Sequence, residues 1–545
     1  MSILSAFNQL PMVRELTPRL FFVYMFMSNF GFDNGWWASV IALQQFADRF
    51  GVYDPSTGKK ILPSSWQSAG SGTGNAGLAI GCIIAGPIIS KIGRKYTVLV
   101  IIGFALTGML IQNVVPSFWG VMVGRMINSI SMGLEANNIP MFMAELAPPA
   151  ARGSLVNFYQ WWQLLGVLMS QSTVYKSNLN FPHGQWSYRT VMVVQMIIPL
   201  LLCGVFFILP ESPRWLLSKG RRDRALDALI YLRKGASTEK EVEEELRLTE
   251  QAVEEQERFH KATTYMDCFK GSNGRRTMIA TGAQVLEQLS GNAFMSSYAV
   301  IFLKQVGIVN PLAATMARVG MSVAGATIAF FAADKIGRRP LMMVTAVIMW
   351  IGLWVSAGVS GYKPGGVHGG AAAQGLLACQ LIWSLCSTLG WGCCVWMITA
   401  EVGTAQLREK TVSIATTFSF IAVLLVSYIS PFIQNSPGNL GARIGFIYGS
   451  FSLVAVFFVY FFVPELSNRS LEELDELFQN KVPAWRFKSY KATGVGVKIT
   501  QIQNINADKG MTLIEAVSTD EEIGESTSSV GEGDKSGVKV NTTKD

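Results

Sequence analysis

Twelve stretches of roughly bilayer-spanning length recur along this chain, and no other feature narrows its possible folds so far. They lie near residues 20–46, 71–90, 96–115, 118–143, 154–175, 188–209, 277–303, 312–333, 341–360, 374–399, 411–432 and 443–463, each close to the ~20 apolar residues that cross a hydrocarbon core as a helix. Lipid offers no partner to a backbone amide, so each stretch must satisfy its polar groups internally. The expected class is therefore an all-α membrane protein with twelve transmembrane helices. Of the 545 residues 50% are hydrophobic and only 15% charged, which suits a multi-pass chain and not a soluble one of this length. The formal net charge of +8 gathers in alternate short loops, "KIGRK", "APPAARG", "DKIGRR" and "QLREK", while the loops between them are much less basic. Such alternation directs topology: it places both termini in the cytoplasm and leaves no footprint for nucleic acid. No cleavable leader pattern precedes residue 20, so "MVRELTPRL" reads as a cytoplasmic lead-in to a first helix that directs insertion itself.

The chain also repeats itself. "KIGRK" at 91–95 returns as "KIGRR" at 335–339, an offset of 244 residues. Glu145 and Arg152, seven residues apart, return as Glu401 and Arg408 at the same spacing, offset by 256. "PESPRWLL" from Pro210 is echoed by "PELSNRSLEEL" from Pro464, offset by 254. Three matches in one order mean two halves of six helices, the architecture of carriers that expose a central site to either side in turn. The expected layout is a cytoplasmic segment at 1–19, a six-helix bundle at 20–209, a charged, helical and amphipathic cytoplasmic segment at 210–276, a second bundle at 277–463, and a cytoplasmic tail at 464–545 whose Gly, Ser, Thr, Asp and Lys content predicts disorder over most of its length.

Enzyme chemistry finds no support in the sequence: there is no nucleophile with its base, no metal-ligand spacing and no phosphate loop, so no cofactor is expected. The seven cysteines fall mostly in apolar runs and read as small core residues. "GSGTGNAG" at 70–77 lacks the Lys-Ser/Thr of a phosphate loop and lies in a membrane helix, where small residues serve close packing. Asp33, in "GFDNG", is different. A carboxylate at membrane depth costs several kcal/mol unless it faces a cavity or a partner, and is by default a functional group.

On "GFDNG" in the first span, "KIGRK" and "DKIGRR", "GR" at 124–125, "ELAPPAARG" at 145–153, "PESPRWL" at 210–216, "EQLSGN" at 287–292 and "PELSNRSLEEL" at 464–474, the chain resembles the sugar porter family of the major facilitator superfamily, especially its fungal members. The resemblance implies a twelve-helix carrier of two pseudo-symmetric bundles. It implies that Asp33 with Arg125 forms a proton-coupling pair, where an arginine neighbour favours the charged carboxylate, burial favours the neutral one, and access to one side tips the balance. A plain ion pair bracing two helices is the alternative. Glu135, a further acid in the fourth span, either shares the proton or bonds cavity water. The resemblance also makes Arg94, Glu145, Arg152, Asp334, Arg338, Glu401 and Arg408 a cytoplasmic gate, against the alternative of charges that serve topology only; Ser90 and Lys91 depart from the family's "DRxGRR" pattern, whereas Asp334 keeps it.

Substrate contacts are implied for Gln160, Gln284, Glu287, Gln288, Asn292 and Trp396, where amides can hold paired hydroxyls and an aromatic ring can cover an apolar sugar face. Glutamines in membrane helices also serve as glue between helices. The chain departs from the family where Glu287 replaces the first of a glutamine pair, where Asn292–Ala293 replaces Ile–Asn, where "GWGCCVW" introduces Trp391 without proline, and where Ser419–Phe420 replaces Asn–Trp. The expected function is proton-coupled import of a sugar, polyol or related polyhydroxylated solute at a plasma membrane, by a monomer in the lipid bilayer. An exporter of a secondary metabolite on the same scaffold and a non-transporting sugar sensor are the alternatives.

Overall fold

In the computed structural model, residues 29–55, 58–146, 152–207, 209–233, 239–262, 264–306, 308–362, 371–404, 406–435, 437–466, 471–480 and 482–487 are described. Residues 29–35 are helical and lead into α1 (Trp37–Val40), completing the described part of the first span, and α2 (Gln44–Phe50) follows. A short antiparallel hairpin, β1 (Val52–Asp54) with β2 (Lys59–Ile61), pairs Val52 with Ile61 and leads to the second span. The first half continues with α3 (Ser64–Ile92), α4 (Arg94–Val114), α5 (Phe118–Leu146), α6 (Arg152–Asn180) and the split sixth span α7 (Trp186–Val194) and α8 (Ile197–Val205). Between the halves, α9 (Pro213–Ser218), α10 (Arg222–Arg233) and α11 (Glu239–Ala262) close around Trp215, Leu216, Leu229 and Leu246. Local rules fix where α9 begins: Ser212 accepts the Trp215 amide at 3.2 Å and Pro213 takes the first turn, where no amide is needed.

The second half repeats the plan. Its first span is α12 (Gly271–Glu287) and α13 (Ala293–Val306), joined by a π-helical turn at Gln288–Asn292. Then come α14 (Pro311–Ile336), α15 (Arg338–Tyr362), a tenth span made of α16 (Ala371–Cys386) and α17 (Cys394–Val402) around a second π-helical turn at Ser387–Gly392, α18 (Arg408–Gln434) and α19 (Ile444–Phe461). One helix, α20 (Leu471–Gln479), belongs to a separate unit of the chain.

Eight of the described helical segments are long and apolar enough to cross a membrane by length and composition alone. The spans outside that count are the first, fourth, fifth and seventh, which carry Asp33, Arg125 with Glu135, Gln160 with Gln163, and Gln284 with Glu287. The described part of the first span is short, residues 29–40; Asp33, Glu135, Gln284 and Glu287 are all buried, as expected of polar groups kept from the lipid. Within the halves, α3 and α4 pack on α5, and α15 packs on α16 and α19. Among the described residues the halves meet chiefly where α3 packs against α18, α6 against α14 and α1 against α13.

Candidate functional site

Three groups of side chains stand out, and each forms because a polar residue is placed on a helix face turned inward. The first surrounds Asp33. Asp33 and Glu135 are buried at 2% and 0% exposure. Arg125 and Asn128, one turn apart on α5, face the Asp33 carboxylate; Asn29, the Phe30 backbone and Asp33 itself face Glu135. Neither acid makes a hydrogen bond of good geometry through either oxygen. The structure thus brings Asp33, Arg125 and Glu135 together, but among the described residues no ion pair within 4 Å joins Arg125 to Asp33. The arginine is held elsewhere. Its Nε donates to the Gly70 carbonyl at 3.2 Å, and the guanidinium lies 4.6 Å from the centre of the Trp37 ring and 5.3 Å from that of Trp36. Gly74 makes room for it, since a Cβ there would stand 2.9 Å from Nε. Small residues in "GSGTGNAG" are therefore the floor of the arginine's seat, and the tandem tryptophans after "GFDNG" are its roof.

The second group lines a small, partly open cavity between α6, α14 and the tenth span, formed by Tyr159, Gln160, Phe330, Cys393, Trp396 and Met397 among others. Gln160 and Trp396 are in it. Glu287 adjoins it from the seventh span, facing Tyr159 and Cys393; its Oε1 accepts from Asn292 Nδ2 at 3.4 Å and its Oε2 has no partner. Gln284 turns instead toward the tenth span, donating to Thr399 Oγ1 at 3.3 Å. Gln288 is half-buried in the π-helical turn. Trp391 leaves the cavity altogether, fully buried with its indole N–H donating to the Met342 carbonyl of α15 at 3.2 Å. Tyr159 and Cys393 were legible only as neighbours of residues singled out in "YQWWQ" and "GWGCCVW"; no spacing rule selects them.

The third group lies at the end of the bundles that carries the basic loops. Arg94 meets Glu145 at 2.8 Å, and Arg338 meets Glu401 at 3.4 Å. Each pair ties two helices of one half. The side chains of Arg152 and Asp334 lie outside the described residues, and Arg408, which opens α18, makes no ion pair among them. Two further acids, absent from the sequence expectations, complete the pattern. Glu211 Oε1 accepts the amides of Arg94, Lys95 and Ser212 at 3.0, 3.1 and 2.9 Å. Glu465 accepts the amides of Arg338 and Leu466 through Oε1 at 3.0 and 3.2 Å and that of Arg339 through Oε2 at 3.1 Å. Each carboxylate thus covers the N-terminus of the helix that follows Gly93 or Gly337, both at φ +96°, where a negative charge is favoured. Burial nevertheless pushes the Glu211 carboxyl above its ordinary value, against the pull of those amides and of Arg94. The repeat "PES" and "PEL", offset by 254 residues, was the available signal for both.

Hydrogen bonds between the halves are distributed unevenly. At the end away from the basic loops, Ser68 donates to the Tyr428 carbonyl at 2.7 Å, and Tyr298 Oη, which donates to the Ser427 carbonyl of its own half at 2.6 Å, lies 3.4 Å from the Gln67 carbonyl of the other. Deeper in, Trp161 donates to Thr327 Oγ1 at 3.1 Å. Among the described residues none joins the halves at the basic end.

A family model described as "Sugar (and other) transporter" matches residues 20–478. The chain is 27% identical over 505 residues to the major facilitator-type transporter ecdD of Aspergillus rugulosus, covering 91% of this chain and 93% of that one. It is 27% identical over 469 residues to the high-affinity hexose transporter ght4 of Schizosaccharomyces pombe, covering 85% and 82%. Its fold is similar to that of the proton:xylose symporter XylE from E. coli, bound to 6-bromo-6-deoxy-D-glucose, with a TM-score of 0.67 at 21% identity over 84% of this chain and 98% of that one.

Proposed function

We propose that this chain, which belongs to the Sugar (and other) transporter family, couples proton entry to the import of a sugar, polyol or related polyhydroxylated solute across the plasma membrane, with both termini in the cytoplasm and the monomer as the working unit. The observation that carries the reading is the pair of buried acids, Asp33 and Glu135, beside an arginine that is seated on indole rings. An acid without a bonded cation in low dielectric is stable when neutral and unstable when charged. With Arg125 on Trp37, Asp33 is in the arrangement that holds a proton; with Arg125 swung to Asp33, the proton leaves. The cavity beside Gln160 supplies the place for the solute, where an amide both donates and accepts to neighbouring hydroxyls and Trp396 offers a ring face. Bonding between the halves is concentrated at the end away from the basic loops, with Trp161 to Thr327 deeper in, and fits a carrier resting open to the cytoplasm. Import is favoured over export of a secondary metabolite because Trp391, a departure from the family pattern, is buried against α15 and does not line the cavity.

The test is uptake of labelled hexoses, pentoses, polyols and cyclitols by transporter-null cells expressing the chain, at several external pH values. Uptake of at least one such solute, rising as external pH falls, is expected. Gln160→Ala should weaken its apparent affinity about tenfold, or ~1.4 kcal/mol. Uptake of none, or uptake indifferent to pH, overturns the proposal.

A further inference from the structure

Asp33 stands in the helix that opens the first half, and Glu287 in the helix that opens the second. Their separation is 254 residues, the same offset that relates Glu211 to Glu465 and Pro210 to Pro464. Their separation falls within the 244 to 256 residues that relate the matched motifs, so they lie in corresponding spans of the two repeats. Both are buried, at 2% and 5% exposure, and each leaves a carboxylate oxygen without a hydrogen-bond partner. Among the described residues no ion pair reaches Glu287. The titratable groups that face it are Tyr159 from α6 and Cys393 from the tenth span, both uncharged donors at neutral pH. From α18, which packs on α12, the nearest charges are Arg408, Glu409 and Lys410 in its first turn; Ser419, level with Gln284 at 3.5 Å, is eleven residues on, or about 16 Å along the helix axis. From α19, Tyr448 is bonded to Ser430 at 2.6 Å. Arg275 and Arg276 of α12 itself stand at its far end.

We infer that Glu287 is a second proton-binding site, the counterpart of Asp33 in the other half, and that it takes its proton at the edge of the substrate cavity. A protonated carboxyl there donates to a substrate hydroxyl and accepts from Asn292, whereas the ionised group faces the cavity with no cation to offset its desolvation. Solute and proton then meet on one side chain, and each transport cycle carries two protons. This inference rests on the proposed proton coupling through Asp33.

Infrared difference spectra of the purified full-length protein across a pH step, with no solute present, test it directly. Among the carboxyl C=O bands, which include those of the buried Glu135 and the half-buried Glu211, one is expected to be lost in Glu287→Gln and retained in Asp33→Asn, and another lost in Asp33→Asn only; a monodisperse elution profile checks that both near-isosteric variants fold. In reconstituted vesicles, the proton-to-solute ratio for the best solute of the uptake panel should fall from two to one in Glu287→Gln. Bands unchanged in Glu287→Gln but altered in Asp33→Asn overturn this inference and leave the proposed function standing. Bands unchanged in both variants overturn the two together.

Discussion

Arg125 is an intramembrane cation whose positive charge is met by indole faces and a carbonyl instead of by the acid next to it. A guanidinium over an indole gains about 0.5–2 kcal/mol, enough to compete with Asp33 but not to exclude it, and a competition of this size is what a proton switch requires. Asp33→Asn should therefore leave Arg125 in its seat on Trp37 and Gly70, so the variant should express and fold. It should still exchange labelled for unlabelled solute in vesicles but fail to accumulate it under an imposed pH gradient. Accumulation at the normal level would show that Asp33 only braces two helices. At the other end, Glu211→Ala strips three amides of their acceptor, a loss of about 1–3 kcal/mol, and should lower the unfolding temperature in detergent. Glu211→Gln keeps an acceptor and removes a buried charge. Because burial raises the Glu211 carboxyl in the folded protein, its folded form is helped by protonation, and that help is lost as pH rises through the raised value. The Gln variant should accordingly match or exceed the unmodified protein at pH 7, with the difference shrinking toward pH 5.

Among the elements, α4 and α15 begin in the same unusual way, directly after a glycine with φ +96° whose neighbour is a carboxylate. A Cβ on Gly93 would stand 2.9 Å from Glu211 Cδ, and one on Gly337 would stand 2.6 Å from Glu465 Oε2. The backbone conformation alone costs an L-residue about 1–3 kcal/mol, and displacing the carboxylate adds the amide bonds it holds. Gly93→Ala and Gly337→Ala should each slow transport and lower thermal stability, and the same change at Gly103, which meets no neighbouring atom within 4 Å, should do neither. Equal behaviour of all three variants would mean that these helix starts are not where the two halves are tuned. The broken seventh and tenth spans belong to the same scale. Each places a π-helical turn beside the cavity, where an irregular ladder frees groups for a solute without exposing them to lipid.

At the scale of the molecule, the halves are joined by hydrogen bonds at the end away from the basic loops, through Ser68, Gln67, Tyr298 and the Tyr428 backbone. A disulfide between cysteines at 68 and 428, in a background with the seven native cysteines replaced, should hold that end shut. Transport should stop on oxidation and return with reductant; turnover that continues with the cross-link formed would show that this end does not have to open. The arrangement of helices was legible beforehand, because bilayer length, basic loops and the twofold repeat are one-dimensional signals that lipid enforces on any chain. The meeting of Asp33, Glu135 and Arg125 was partly legible, as polar residues on apolar helices. What the sequence by itself determined, then, is the class, the twelve spans, the two halves and the identity of the intramembrane acids. What only the tertiary structure decided is which groups face one another: Arg125 on Trp37 and not bonded to Asp33, Trp391 outside the cavity, Gln284 turned to Thr399, and Glu211 and Glu465 over the helix ends. Hydropathy and spacing report how a side chain relates to its own helix, whereas these contacts depend on the rotation and depth at which two helices pack, and that is settled only when all of them pack at once.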